Sequence, residues 1–583
     1  MKKIKLLAGD YQKTISVVEN SNLLTVIQQS GLFIDAPCGG SGACKKCTVF
    51  INGKPCLACR TVIKNDLIVS IPVYSNKELE SKKEKLDKHF KGIHIEPAVK
   101  TVELDIDPRS REFYQSDLEY LRKIAKLNIS VQPDAELISK ISACMHKKGR
   151  CTLYLWKSNN IYELVDILDR SGVRNLGLAI DLGTTTVSLA VTDCKSGGII
   201  DSLTFYNPQI IYGADIIHRI VFAQKGNGAV LLKNKVIDEI NRGVTDLCLK
   251  NNLQPEEIKS AVISGNTTMI HLLLGLPTKF IREEPFSPAA KEIPPFNSSS
   301  LLDTIKRGKI FIIPCVANYL GGDLVSGINL SGLHKKSGIN ILLDIGTNGE
   351  IIIGNRDWLV GCACSAGPAF EGMGINCGMR YMEGAVTGVK YYKGRFEYSI
   401  AGNSEPRGIS GTGAISLLKH LREENYIDKR GKFTGKVTAK IGSRKAFILF
   451  DSQSIYVDET DIDNLLRAKA AIYSGMSLIM KKLEIPFSKI NNLYIAGGIG
   501  NSLSIEDALD IGLLPPVDRK KVKFIGNSSL KGAIKYLLSE KARKDTAKIT
   551  KKTTYIDLSN EPQYINEYTA ALFIPHTNFG VSP

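Results

Sequence analysis

A repeated strand-turn-strand constrains this chain more than any other feature. Leu178-Ala-Ile-Asp181-Leu-Gly183-Thr184-Thr185-Thr186 recurs in outline as Ile341-Leu-Leu-Asp344-Ile-Gly346-Thr347-Asn348-Gly349, about 160 residues later. In each copy an apolar run suited to a buried strand ends in Asp, turns at Gly and resumes as a second apolar run. Two copies imply two similar subdomains facing each other, each presenting an Asp-Gly-Thr hairpin. From Leu176 to about Phe573, apolar strands alternate with helical patterns, the layout of layered α/β architecture.

The hairpins carry the chemistry a phosphate site needs. The chain has neither a Gly-x4-Gly-Lys-Ser/Thr loop nor a complete Gly-x-Gly-x-x-Gly fingerprint, so phosphate must be held in another way. Asp181 and Asp344 stand at strand ends, where a carboxylate can hold hydrated Mg²⁺. Gly183 and Gly346 admit close backbone approach, and Thr184, Thr185, Thr186, Thr347 and Asn348 offer groups that hydrogen-bond phosphate oxygen. A third strand-like run, Asn492 to Ala496, ends in Gly497-Gly498, where a flat adenosine can lie against bare backbone. Each element alone is a common turn signal, whereas the three in order, each closing an apolar strand, point to one ATP site. The turn Gly408-Ile-Ser410-Gly-Thr412-Gly413 places two hydroxyls among three glycines, so Ser410 and Thr412 are further candidates to line that cleft or to offer oxygen to a metal or phosphate.

A second chemistry sits at the other end of the chain. Of 13 cysteines, five fall between Cys38 and Cys59. Cys38-x5-Cys44-x2-Cys47-x11-Cys59 surrounds a glycine-rich loop and is close to the plant-type [2Fe–2S] spacing, with one residue added in the first gap. Cys44, Cys47, Cys56 and Cys59 also make two knuckles of a zinc ribbon. The ribbon leaves Cys38 and the glycines without a role, so the cluster reading is preferred, with Cys56 a bystander.

Residues 1–75 read as a compact sheet-rich unit with strands near Ile4–Leu7, Thr14–Val18 and Leu67–Ile71 and a helix near Leu23–Gln29 capped by Ser21 or Asn22. Residues 76–96 are charged and read as a linker. Residues 97–174 read as a small α/β unit without a chemical motif, and 175–583 as the two-lobed nucleotide-binding region. The charge of +17 is spread in short runs with no basic stripe interleaved with aromatics, so nucleic acid is not an expected partner. The apolar stretch after Lys5 is too short for a signal peptide, and no run reaches the ~18 apolar residues of a membrane span. No membrane partner is expected, and the expected location is cytoplasmic.

The ordered motifs of the C-terminal region resemble those of the acetate and sugar kinase, heat-shock chaperone and actin superfamily. The N-terminal segment resembles ferredoxin-like β-grasp domains, and its short Cys47-x11-Cys59 gap is similar to the [2Fe–2S] module of molybdenum hydroxylases. Gly265-Asn-Thr-Thr-Met, Tyr206-Asn-Pro-Gln-Ile with Tyr212-Gly-Ala-Asp215, Ala366-Gly-Pro-Ala-Phe-Glu371-Gly and the Ser410 turn further resemble the reductive activators of corrinoid-dependent methyltransferases, over nearly the whole chain. The resemblance implies a multidomain α/β protein: a β-grasp [2Fe–2S] domain, a small middle domain and an actin-like ATPase. It implies ATP-dependent reduction of an inactive Co(II) corrinoid protein to Co(I). The cofactors would be a [2Fe–2S] cluster, ATP and Mg²⁺. The partners would be the corrinoid protein of a methyltransferase system, an external low-potential electron donor and a second copy of the chain. Many members have a longer stretch before the fourth cysteine, where here Asn52-Gly53 makes a tight hairpin, which bears on cluster exposure and potential. Two other classes fit parts of the pattern: an activator of radical dehydratases or reductases, and a small-molecule kinase with a structural metal domain.

The cysteine spacing generates a direct expectation. Cys56→Ala should keep the colour and iron content of the anaerobically purified protein, and Cys38→Ala should lose both. The opposite result in visible spectra and metal analysis would establish the zinc ribbon.

Overall fold

The computed structural model describes residues 1–8, 11–30, 34, 47–71, 93–213, 215–402, 404–452, 454–499 and 503–577. Cys38, Cys44 and most of the charged 76–96 stretch lie outside the described residues.

Five strands open the chain: Lys2–Ala8 (β1), Tyr11–Val17 (β2), Thr48–Ile51 (β3), Lys54–Leu57 (β4) and Leu67–Ser70 (β5). They form one mixed sheet in the order β2-β1-β5-β3-β4, with β1 and β5 parallel. Helix α1 (Leu23–Gln29) begins where Asn22 Oδ1 accepts from Thr25 N at 3.3 Å. Its Leu23 and Ile27 enter one core with Ile4, Leu6, Val49 and Val69, the β-grasp arrangement of a sheet closed by one helix. Asn52 and Gly53 both adopt positive φ (49° and 80°), so β3 and β4 are joined by the tight turn their sequence demands.

The next unit is a four-stranded sheet of Val99–Ile106 (β6), Ile129–Ser130 (β7), Gly149–Ser158 (β8) and Ile161–Leu168 (β9), ordered β6-β8-β9-β7. Helices α2 (Asp117–Ala125) and α3 (Ala135–Met145) pack into its core through Leu121, Leu137 and Ile141. Strand β9 is not evident in the sequence because Glu163 and Asp166 interrupt its apolar pattern. Both acids are buried and paired with lysines of the following lobe: Glu163 with Lys309 and Asp166 with Lys259, each at 2.6 Å. Removing one partner of such a pair strands a buried charge, so these contacts fix how this unit sits.

The repeat becomes two sheets of the same plan. The first is built from Leu176–Leu182 (β10), Thr186–Asp193 (β11), Ile199–Tyr206 (β12), Ile258–Gly265 (β13), Phe296–Asn297 (β14) and Lys309–Ile312 (β15), ordered β12-β11-β10-β13-β15-β14. The second is built from Ile339–Ile345, Gly349–Gly354 and Leu359–Cys364 (β16 to β18) with later strands that run parallel to β16. Those strands are Ile490–Ala496 (βx) and Val522–Gly526 (βy). In both sheets an antiparallel meander continues into parallel strands, so β10 and β16 hold equivalent central places and carry Asp181 and Asp344 one residue before their ends.

Two helices cross where the lobes meet: α4 (Gly322–Ser331), after the last parallel strand of the first lobe, and α5 (Ser528–Leu538), after βy. The crossing is made of small residues. A Cβ on Gly532 would lie 2.4 Å from Ser326 Cβ and 2.7 Å from its carbonyl oxygen, and one on Gly327 would lie 2.9 Å from Ser528 Oγ. Ser264 Oγ stands 2.8 Å from Ser326 Oγ and 2.9 Å from Ser529 Oγ, linking β13 to both helices. No helix among the described residues is long and apolar enough to cross a membrane.

Gly532→Ala places its new methyl group against backbone that cannot turn away. It should destabilise the nucleotide-binding region by about 1–3 kcal/mol, read as a lower unfolding temperature in calorimetry.

Candidate active site

Asp181 is next to last in β10 and Asp344 next to last in β16, and the hairpins that follow meet across the interlobe cleft. Gly183 N donates to Thr186 O at 3.0 Å and Gly346 N donates to Asn348 O at 3.0 Å, so each turn is closed by its glycine amide, the second one residue tighter than the first. At their tips Thr185 Oγ1 and Thr347 Oγ1 stand 3.3 Å apart, although 162 residues separate them in sequence. Asp181, Gly183, Thr184, Thr185, Thr186, Asp344, Gly346, Thr347 and Asn348 all keep partial exposure toward this cleft.

Each carboxylate has a defined neighbourhood. Asn527 Nδ2 donates to Asp181 Oδ2 at 2.8 Å, and Ser528 Oγ reaches Asp344 Oδ2 at 3.4 Å, so the start of α5 touches both repeats. Burial raises the carboxyl of Asp181, against hydrogen bonds from Ser529 and Asn527 that lower it. Asp344 is raised to about 7, first by burial and then by the negative charge of Asp181. The structure adds three acids that the motif reading did not select. Asp323, in the first turn of α4, is raised to about 7 by burial and by Asp344 and Asp181. Glu350, opposite Asp344 in the β16/β17 register, is pushed well above the usual range by burial and by Asp323 and Asp344. Glu371 is raised by burial, with Arg380 opposing, and accepts a 3.1 Å hydrogen bond from Thr347 Oγ1. A site with this many enclosed carboxyl groups is short of positive charge.

The hairpin of the first lobe is also braced from behind. Asn207 Nδ2 donates to Gly183 O at 2.8 Å, its backbone N donates to Thr185 O at 2.9 Å, and Asn266 Nδ2 donates to Thr184 Oγ1 at 3.1 Å. Arg219 is fully buried; its Nη2 donates to Thr184 O at 2.6 Å and its Nε to Gly213 O at 2.9 Å. Burial lowers its pKa to about 9. Arg380, from the second lobe, lies over the Tyr206 ring of the first at 4.5 Å.

Gly497 has a φ of +95°, and a Cβ there would meet Ile345 O at 2.2 Å and Asp344 Oδ1 at 3.0 Å, so only glycine lets βx end this close to Asp344. Gly498 is exposed and its Cβ direction is open. Ser410 and Thr412 are buried. Ser410 Oγ donates to Val386 O at 3.0 Å and accepts from Gly413 N at 3.2 Å, while Thr412 Oγ1 donates to Thr387 O at 3.1 Å. Their turn packs against the segment that carries Glu371: a Cβ on Gly411 would lie 1.8 Å from Phe370 O.

At the other end, Cys47 and Cys59 are buried side by side, with Cys59 N donating to Cys47 Sγ at 3.5 Å. The Cys56 thiol points instead to Val49 O at 3.7 Å. Among the described residues no three His, Cys, Asp or Glu converge closely enough to hold a metal ion.

Several missed residues had a signal in the sequence. Asn207, Asn266 and Glu371 lie inside the motifs quoted above, and Asp323 follows Gly321-Gly322 after a strand, the same punctuation as Gly497-Gly498. Arg219 and Glu350 had none, because their roles depend on which strands become neighbours.

Two lobes of one plan, hinged on crossing helices and facing each other with acid-ended hairpins, define an actin-like ATPase. Residues 176–336 match the family described as the RACo middle region, and residues 338–583 match the C-terminal, ASKHA domain of RACo. A solved structure titled reductive activator for corrinoid, iron–sulfur protein is 34% identical, covers 98% of this chain and 99% of its own, and superposes with a TM-score of 0.76. The corrinoid activation enzyme RamQ of Eubacterium limosum is 28% identical over 582 residues, covering 96% of this chain and 97% of its own. The [Co(II) methylated amine-specific corrinoid protein] reductase of Methanosarcina barkeri is 23% identical over 437 residues, covering 68% of this chain and 76% of its own. The chain belongs to the RACo family of reductive activators.

Arg219→Gln removes a charged donor from the Thr184 carbonyl. Nucleotide affinity should fall by about tenfold to 100-fold in titrations with a fluorescent ATP analogue, while the visible spectrum stays unchanged.

Proposed function

We propose that this chain is an ATP-dependent reductase that returns the Co(II) of an inactivated corrinoid protein to Co(I) in a methyltransferase system. The observation that carries this reading is the pair of acid-ended hairpins facing across one cleft, in a chain similar over nearly its whole length to a reductive activator. Asp181 and Asp344 would hold Mg²⁺·ATP, largely through the water shell of the ion. Gly183, Thr184, Thr185 and Thr186 on one side and Gly346, Thr347 and Asn348 on the other would bind the phosphates. Gly497 and Gly498 would line the adenosine, and Ser410 and Thr412 would hold the turn that supports Glu371. Asp323, in the first turn of α4 beside Asp344 and Asp181, would accept a proton from an attacking water.

Cys38, Cys44, Cys47 and Cys59 would hold a [2Fe–2S] cluster, which when bound supplies one electron at roughly −400 mV. The residues present fit it. Cys47 and Cys59 share one buried place, and the Cys59 amide already points at the Cys47 sulfur, as backbone donors do where they tune a thiolate ligand. A one-electron shortfall on the order of 300 mV against the acceptor costs about 7 kcal/mol, so the electron needs an energy source. The reading divides the chain into a cluster domain over 1–75, a linker over 76–96, a small middle domain over 97–174 and the ATPase over 175–583. It also includes an external low-potential donor, a cytoplasmic location and a homodimer.

The test mixes reduced protein, Mg²⁺·ATP and an anaerobic Co(II) corrinoid protein and follows cobalt by its absorption. Co(I) should accumulate only with ATP. Removing residues 1–75 should stop electron delivery while ATPase activity persists, and Asp344→Ala should abolish ATPase activity with the spectrum unchanged. Equal reduction without nucleotide would overturn the reading, and phosphorylation of a small hydroxyl compound without cobalt change would make the chain a kinase.

A further inference from the structure

A groove of about 650 Å³ opens between the 97–174 unit and the first lobe. Its charged wall is unbalanced. Asp166 Oδ1 accepts Lys140 Nζ at 3.0 Å and its Oδ2 accepts Lys259 Nζ at 2.6 Å, so one carboxylate serves two ammonium groups. Asp166 and Lys259 are buried, and the far side of Lys259 is covered by the Tyr154 ring, whose centroid lies 5.1 Å from Nζ. The other acids of the wall have cations of their own. Glu257 faces Arg174 at 3.9 Å and Glu256 faces Lys306 at 4.0 Å. Arg170 also lines the groove and forms no ion pair among the described residues; its neighbour Asp169 pairs with Lys147 at 2.9 Å.

The groove therefore offers one uncompensated charge from the two lysines and one from Arg170. A phosphate monoester carries about −1.5 to −2 near pH 7, which matches that excess. Lys140 is about a third exposed and Arg170 is exposed, so both can reach a ligand in the groove, and an anion with several oxygens takes charge-assisted hydrogen bonds from such donors. The volume falls within the usual range of small-molecule sites, and such sites favour the boundary between two folded units.

We propose that this groove binds a small phosphate dianion between Lys140 and Arg170, with the buried Lys259 holding Asp166 behind them. It is separate from the nucleotide cleft. Lys259 lies near the start of β13, and Gly265 at the end of that strand leads into Asn266 at the Thr184 hairpin. Six residues of extended chain place the two sites roughly 20 Å apart.

The test uses full-length protein whose cleft is saturated with Mg²⁺ and a non-hydrolysable ATP analogue, so that added phosphate cannot report on the hairpins. Inorganic phosphate and, separately, ribose 5-phosphate are titrated in and followed by calorimetry. One further site is expected, and the stronger ligand tells whether the groove takes the free ion or an ester. Lys140→Ala with Arg170→Ala should weaken binding by about 100-fold, whereas Arg170→Lys should stay within about tenfold of wild type. Arg170→Ala alone, at an exposed side chain that leaves the buried pair intact, should already weaken binding measurably. No binding of either compound, or equal binding by the wild type and the double variant, would overturn the proposal.

Discussion

Five enclosed carboxyl groups in one cleft, Asp181, Asp323, Asp344, Glu350 and Glu371, set the terms for the rest of the nucleotide-binding region. Like charges brought together at low dielectric repel, and the repulsion is relieved by protonation or by a cation. Asp344 and Asp323 are both raised above the ordinary carboxylate range, first by burial and then by neighbouring negative charge. An incoming cation therefore meets groups that can ionise in response. The neutral donors around them, Asn527 at Asp181 and Ser528 at Asp344, hold the side chains in place without removing that need for positive charge.

The geometry that gathers these acids rests on the crossing of α4 and α5. Asp323 rides on α4, and Asn527 and Ser528 lead into α5, so the helices that join the lobes also carry groups that touch the site. Small residues at the crossing let the backbones approach until Gly532 has no room for a methyl group. A larger crossing would separate β10 from β16 and with them Asp181 from Asp344. Close packing here is thus a condition for the electrostatics, which explains why glycine and serine occupy positions where apolar residues would bury more surface.

How much of this was legible in the sequence depended on whether the signal was local. The repeat was legible because each copy is complete within about 16 residues: strand, Asp, Gly, hydroxyl, strand. Asn52-Gly53 was legible for the same reason, since a two-residue turn has its own backbone requirement. Strand β9 was hidden because its acids are partnered by Lys259 and Lys309, nearly 100 and 150 residues away, and an unpaired reading makes them solvent-facing. Arg219 carries no local signal, because only the folded chain brings the Thr184 carbonyl to it. The Ser410 turn shows the converse. Its composition suggested hydroxyls free for a ligand, whereas the structure spends them on the backbone of Val386 and Thr387.

The contact between the hairpin tips bears on how nucleotide binding becomes lobe movement. Thr185 Oγ1 and Thr347 Oγ1 stand 3.3 Å apart. A phosphate oxygen hydrogen-bonded to both hydroxyls would hold them roughly 4.5 Å apart, from two bonds of about 2.7 Å meeting at a tetrahedral angle. The two hydroxyls must therefore move apart before one phosphate oxygen bridges them. The Arg380–Tyr206 and Asn527–Asp181 contacts also bridge the lobes near this point, so parting the tips draws on them as well. A ligand shifts such an equilibrium only by its differential affinity for the two states. Here that difference has a structural source: the closed tips exclude the phosphate, and the parted tips admit it. On the proposed assignment, nucleotide would act on the spacing of the two hairpins through the same threonines that would hold the phosphate.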